Sequence, residues 1–374
     1  MFYFSFILLS VFIYYLFDNN GYNCQKRGYI GLCVIVILLC LIAGLRDMGV
    51  GTDTLYYSAD YYYNATHYSL KDVWNEKTIG EKLSIAYFLL NQFAAMFYDD
   101  IASPLFFTEL CILGGVLFVY KKFQYIYKYN FILLLLLYLF LYYNQTLNYM
   151  RQLCAVSFTF AAYYCSIQKK YKLSVLWLII GYLFHTSAIG GVIPIAIYQL
   201  SFVKSEKLRT KLSIFYVAVL VLFALSFNIF LTLFSNSGIL LTVYAERYGE
   251  GNSFGGDFST TQFIYLLVGY VLIFISHKKK ILTKNQNTVA FLLHTTNIAL
   301  LLLGLYAFFL FRVAFFVAFP DLLYLTMILS SKKMYDLLKW GYVAVTILLW
   351  FNLYIIHGNC ETNPYTSKKI GILK

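Results

Sequence analysis

The sequence predicts an all-α polytopic membrane protein, and three observations carry that prediction. Hydrophobic residues fill 61% of the 374 positions and charged residues 12%, about half the charge of a soluble domain. Apolar runs close to the 20 or so helical residues that a bilayer takes recur along the chain. No series of short alternating segments marks a β-barrel, so helices remain to satisfy the backbone in lipid.

Taken in order, the first run, FYFSFILLSVFIYYLF, lacks a basic leader and a small-residue cleavage site and reads as a retained span. The predicted spans are 2–17, 30–45, 103–120, 130–147, 153–167, 173–198, 211–233, 261–276, 288–304, 306–330 and 339–356, about eleven transmembrane helices. Residues 83–97 are too short a run and carry Asn91 and Gln92, so they read as a re-entrant or interfacial helix. Within 173–198, Gly181, Gly190, Gly191 and Pro194 predict a broken helix able to turn back.

The basic clusters at Lys26/Arg27, Lys121/Lys122/Lys128, Lys169/Lys170/Lys172, Lys278/Lys279/Lys280 and Lys332/Lys333 flank these runs and predict the cytoplasmic side. They account for much of the net charge of +12 without a nucleic-acid partner. Residues 1–374 then form a single integral membrane domain, with extracytoplasmic segments 46–82 and 234–260 and the Asn144–Gln152 junction on the same side. The seven cysteines show no CxxC pair, mostly lie inside apolar runs, and read as small core hydrophobes.

Ionisable side chains cost at least about 2.5–3.5 kcal/mol at the centre of a membrane helix, so those that occur there face a cavity or a partner. Arg46 and Asp53 bracket RDMGVGTD, a glycine turn followed by Tyr56, Tyr57, Tyr61, Tyr62 and Tyr63, whose rings are the size of sugars. Asn148, Arg151 and Gln152 are spaced i, i+3 and i+4, which predicts one helix face. Arg151 can hold a phosphate through two parallel hydrogen bonds. His185 interrupts a long apolar run, and its ordinary pKa of about 6.5 suits proton transfer near neutrality. Arg312 lies inside FFLFRVAFF and needs an anion. No phosphate-binding GxxxxGK[ST] loop, zinc-binding HExxH, GxSxG elbow or spaced aspartate pair is present, which argues against nucleotide, zinc and serine-hydrolase chemistry and leaves no cofactor to expect.

GLRDMGVGTDTLYY, then GEKLSIAYFLLNQF, then YMRQLCAVSFTFAAYYCSIQKKYKLSVLWLIIGYLFHTSAI, then YAERYGEG, resemble in order the EpsG/Wzy-type polysaccharide polymerases over roughly residues 30–330. The glutamate-bearing element GEKLSIAY departs from the family pattern, which removes Glu81 from the site. The resemblance implies a C-type glycosyltransferase-like fold in the bacterial inner (cytoplasmic) membrane. It implies metal-independent joining of undecaprenyl-pyrophosphate-linked repeat units into O-antigen or exopolysaccharide on the outer face, with membrane lipids and a chain-length regulator protein as further partners. On that reading Arg151 and Arg312, helped by Arg46 or Arg247, stabilise the leaving pyrophosphate. His185 is the first choice of base and Asp53 the second. Tyr56, Tyr57, Asn148, Gln152 and Tyr248 bind substrate. A lipid-linked oligosaccharide flippase and a membrane O-acyltransferase are the alternatives; the flippase would show two related halves, which this chain lacks.

Overall fold

A computed structural model describes residues 2–18, 24–75, 84–235, 260–305 and 308–373. Among them every regular element is helical, and a lone antiparallel bridge joins Ser367 and Ile372. The helices are α1 Phe2–Asp18, α2 Cys24–Leu45, α3 Ala59–His67, α4 Leu70–Asn75, α5 Ile85–Ala95, α6 Ala102–Tyr127, α7 Phe131–Thr146, α8 Met150–Ile167, α9 Tyr171–Phe184, α10 Val192–Ser201, α11 Glu206–Ser235, α12 Thr260–Lys279, α13 Lys284–Leu303, α14 Phe308–Leu329 and α15 Asp336–Trp350. A π turn, Thr54–Ser58, leads into α3, and another, Leu110–Gly114, widens α6 just after the buried Glu109.

Among the described residues seven helices are long and apolar enough to cross a membrane: Lys26–Leu45, Ala102–Tyr127, Glu206–Ser226, Thr261–Lys279, Lys284–Leu303, Phe309–Leu329 and Asp336–Ile356. The other predicted spans fall on α1, α7, α8 and the α9–α10 pair, which have 17, 16, 18, 14 and 10 residues. α5 has 11 residues, about 16 Å of helix, too little to cross about 30 Å of hydrocarbon. The run 173–198 breaks where its glycines predict: α9 stops at Phe184, His185 is extended, and a 3-10 turn covers Thr186–Gly191.

The chain divides into two compact units, residues 1–189 with 343–374, and residues 190–342. In the first, one end of the bundle gathers Asp18, Gly28 and Lys121. Lys121, one of the basic residues expected at the cytoplasmic side, is buried: its ammonium donates to Tyr14 Oη at 2.6 Å, pairs with Asp18 at 3.4 Å and lies 4.9 Å from the Phe131 ring centroid. The other end gathers the α2–α3 turn, the α7–α8 junction and the C-terminal residues 358–373, and it carries most of the predicted site. In the second unit α13 and α14 pack lengthwise, and their buried polar groups come from both helices.

Candidate functional site

α2 ends at Leu45, and the last carbonyls of a helix have no partner within it. Arg46 folds back to supply one: Nη1 donates to the Ala43 carbonyl at 3.0 Å. Nη2 reaches across to the Leu147 carbonyl at 2.9 Å and Thr54 Oγ1 at 3.2 Å, and Met150 Sδ lies at 3.4 Å. The residue is 5% exposed, so this arginine ties α2 to the α7–α8 junction rather than opening to solvent.

The turn that follows needs its glycine. Gly51 has φ +91°, and a Cβ there would lie 2.9 Å from the Leu147 carbonyl oxygen and 3.1 Å from Thr54 Oγ1. Thr54 Oγ1 donates to the Val50 carbonyl at 3.0 Å, closing the turn. Asp53 is half-buried, and its backbone N–H donates to Asn148 Oδ1 at 2.9 Å. Its carboxylate lies near Cys360: burial, and after it the Asp53 charge, push the Cys360 thiol up to about 12.

The one-face reading of Asn148, Arg151 and Gln152 is corrected. α8 starts at Met150, so Asn148 lies in the preceding turn, where its short amide side chain bonds backbone. Gln152 is buried, whereas its neighbour Arg151 is half-buried. Arg151 Nη1 donates to Tyr61 Oη at 2.6 Å, and the guanidinium lies 4.9 Å from the Tyr61 ring centroid and 5.1 Å from that of Tyr57. Tyr61 Oη also accepts the Ser84 N–H at 2.8 Å, and its ring meets Tyr87 edge-on at 5.0 Å. Among the described residues Arg151 pairs with no carboxylate. Tyr56 lies on the π turn beside Tyr57.

Antiparallel helices α8 and α9 explain the spacing of MRQ and FH. A Cβ on Gly181 would touch the Ala155 carbonyl at 3.1 Å, which fixes the register. Arg151 precedes Ala155 by four residues and His185 follows Gly181 by four, so both lie about 6 Å further toward the same end of the hairpin. His185 is half-buried. Its Nδ1 accepts the Ser187 N–H at 3.1 Å and lies 2.7 Å from Ser187 Oγ. With Nδ1 accepting, a neutral ring carries its proton on Nε2.

Arg312 is half-buried on α14, in the unit of residues 190–342. Arg247 and Tyr248, with nearly all of segment 234–260, lie outside the described residues.

Three buried ionisable groups escaped the reading of the sequence, although the rule that picked out Arg312 applies to them. Glu109 Oε1 lies 2.6 Å from Thr146 Oγ1. In the second unit His294 Nδ1 lies 2.8 Å from Asp321 Oδ2, and its Nε2 lies 2.9 Å from the Leu266 carbonyl. Asn297 Nδ2 donates to the same Asp321 oxygen at 3.1 Å, and Gly269 leaves room for the imidazole, since a Cβ there would sit 2.3 Å from it. Both imidazole nitrogens thus face acceptors, and α12, α13 and α14 are joined at one point.

These features define a polytopic helical membrane protein with a cation held on aromatic rings beside a glycine turn at one end of its bundle. The chain matches the family model described as the EpsG family over residues 29–367, and it belongs to that family. Membership suggests a polysaccharide polymerase of glycosyltransferase type. No curated protein and no solved structure matches the chain.

Proposed function

We propose that the chain joins lipid-pyrophosphate-linked oligosaccharide repeat units into a polysaccharide on the outer face of the bacterial cytoplasmic membrane. The observation that carries this reading is Arg151: a guanidinium on the rings of Tyr57 and Tyr61, with no carboxylate partner among the described residues, next to Asp53 and Asn148. A half-buried arginine that pairs with no carboxylate among the described residues suits a phosphate, and flanking tyrosine rings suit sugars.

In the reaction, a hydroxyl oxygen of the acceptor repeat unit attacks the anomeric carbon of the donor glycan. The bond from that carbon to the phosphate oxygen breaks, and the lipid pyrophosphate leaves with the bonding electrons. Fixed positive charge from Arg151 stabilises the developing phosphate charge. The hydroxyl proton goes to a carboxylate. Asp53 takes this role in preference to His185, because the Ser187 N–H already occupies His185 Nδ1 and leaves Nε2–H as a donor. His185 then hydrogen-bonds a substrate oxygen. Residues 1–374 act as one integral membrane domain in which segments 46–82 and 234–260 face the outer surface.

The test is polymerisation of purified lipid-linked repeat units by the protein in vesicles. A ladder of products that disappears in Arg151→Ala supports the proposal. Movement of labelled lipid-linked units across the vesicle without polymer would make the chain a flippase. Sidedness is checked at Leu55, which is 52% exposed: Leu55→Cys, in a background without native thiols, should react with an impermeant reagent from outside, and reaction only from the cytoplasmic side rejects the topology.

A further inference from the structure

We propose that the C-terminal segment, residues 358–373, is a positioning element of the site: a strap that holds the Arg46–Asp53 turn in its working shape. The inference rests on the proposed function above. Three hydrogen bonds join this segment to the turn. The Gly51 N–H donates to the Glu361 carbonyl at 2.9 Å, at the one position where the backbone has φ +91°. The Asp47 N–H donates to the Thr366 carbonyl at 2.9 Å, and Asp47 Oδ1 accepts the Lys368 N–H at 2.9 Å.

The strap also completes the end of α2. Tyr365 Oη donates to the Ile42 carbonyl at 3.0 Å and Ser367 Oγ donates to that of Leu45. With the bond from Arg46 to Ala43, three of the four orphan carbonyls at this helix end gain partners, two of them from residues more than 300 positions away. Its outer anchors are a stack of Tyr365 on Phe2, with centroids 4.3 Å apart, and the Lys369–Asp100 ion pair. Beneath it, the buried Asn144 amide accepts from Trp350 Nε1 and donates to Thr362 Oγ1, both at 2.9 Å.

Asp53 is two residues from Gly51, so a strap that fixes Gly51 also fixes where that carboxylate sits. Geometry of this kind is worth about a hundredfold in rate for a displacement of about 1 Å.

Two arms test the proposal in the full-length protein. The released arm combines Asp47→Ala, Thr362→Val and Ser367→Ala, which removes three side-chain attachments. The locked arm joins Asp47→Cys to Lys368→Cys with a short bismaleimide in a background without native thiols. The released protein should insert and extract from the membrane as wild type does, bind lipid pyrophosphate with unchanged affinity, and turn over about tenfold more slowly or worse. The locked protein should keep wild-type turnover. Wild-type turnover in the released arm rejects the strap, and so does loss of turnover in the locked arm, which would make the segment a moving lid. Thr54→Cys gives a readout independent of activity: Thr54 is fully buried, so the thiol should stay unlabelled in the intact strap and label when the strap is released. Should the wild-type protein form no polymer at all, the proposed function fails, and the strap is then judged on Thr54→Cys: labelling equal in both arms rejects it.

Discussion

Arg46 Nη2 donates to the backbone carbonyl of Leu147, 101 residues away, at 2.9 Å. This bond joins the end of the second helix to the α7–α8 junction and sets the floor on which the glycine turn rests. Arg46→Ala should strand the Leu147 and Ala43 carbonyls in a buried place, at about 1–3 kcal/mol for each acceptor left unmade. Gly51→Ala should cost about 1–3 kcal/mol through its left-handed backbone and the contact with Leu147. Thermal unfolding in detergent measures both, and a Gly51→Ala protein as stable as wild type contradicts the turn described here.

Arg151 and Arg312 are each expected to need their forked guanidinium. Arg151→Lys and Arg312→Lys should lose about 10²-fold or more in turnover although the charge is kept, since an ammonium does not reproduce a two-pronged phosphate contact. Tyr61→Phe removes the hydroxyl that Arg151 and Ser84 both use, and it should raise KM more than it lowers kcat, because the ring remains. Full-length glycan from either lysine variant at normal expression would reduce that arginine to a structural charge.

His185 separates two chemistries. As an Nε2–H donor it should be partly replaceable: His185→Gln keeps turnover within about tenfold of wild type, while His185→Ala falls about 10²–10³-fold, the usual cost of losing one such donor. A proton acceptor would behave otherwise, with glutamine as inactive as alanine. The comparison is made with purified lipid-linked substrate, with lipid binding followed separately, and an inactive glutamine variant returns the base role to His185.

The His294–Asp321 pair should behave as a structural lock. Removing one partner leaves the other buried without its counterpart, at about 3–5 kcal/mol, so His294→Ala and Asp321→Ala should each lower the unfolding temperature markedly. The double variant His294→Leu/Asp321→Leu should recover part of the loss, because apolar replacement of both partners removes the stranded group. Single variants as stable as wild type would show that the pair carries no stability.

The Lys369–Asp100 pair should let go only in acid. Burial pushes the Asp100 carboxyl up, but the hydrogen bond and charge of Lys369 and the Ala102 N–H outweigh it and hold it below its ordinary 3.8. A depressed carboxylate stabilises the fold above its ordinary value, and that contribution goes as pH falls through the lower folded value. Hydrogen exchange of residues 358–373, corrected for intrinsic rate, should therefore be flat from about pH 8 to 5 and rise only below about pH 4. A rise near neutrality would place the control in another group.

From the sequence alone the helical membrane class, the outline of the spans, the break at His185 and the family could be read, because each is local: apolar run length, glycine and proline placement, and the order of a few short motifs. RDMGVGTD and MRQ stood out because charge in an apolar context is costly wherever it falls. What those residues touch was decided only by tertiary structure. Arg46 and Arg151 look alike in sequence, each a cation at the mouth of a span. The fold buries the first among carbonyls and lays the second on two tyrosine rings, since helix packing sets which acceptors come within reach. The i, i+3, i+4 spacing misled at Asn148, because α8 begins two residues after it, at Met150, and leaves that side chain off the helix. Glu109, His294 and Asp321 were open to the rule that found Arg312, but their partners come from other helices and leave no local trace. The strap is the clearest case: nothing local in GNCETNPYTS marks it, and its hold on Gly51 exists only because the fold brings residues 358–373 against the α2–α3 turn.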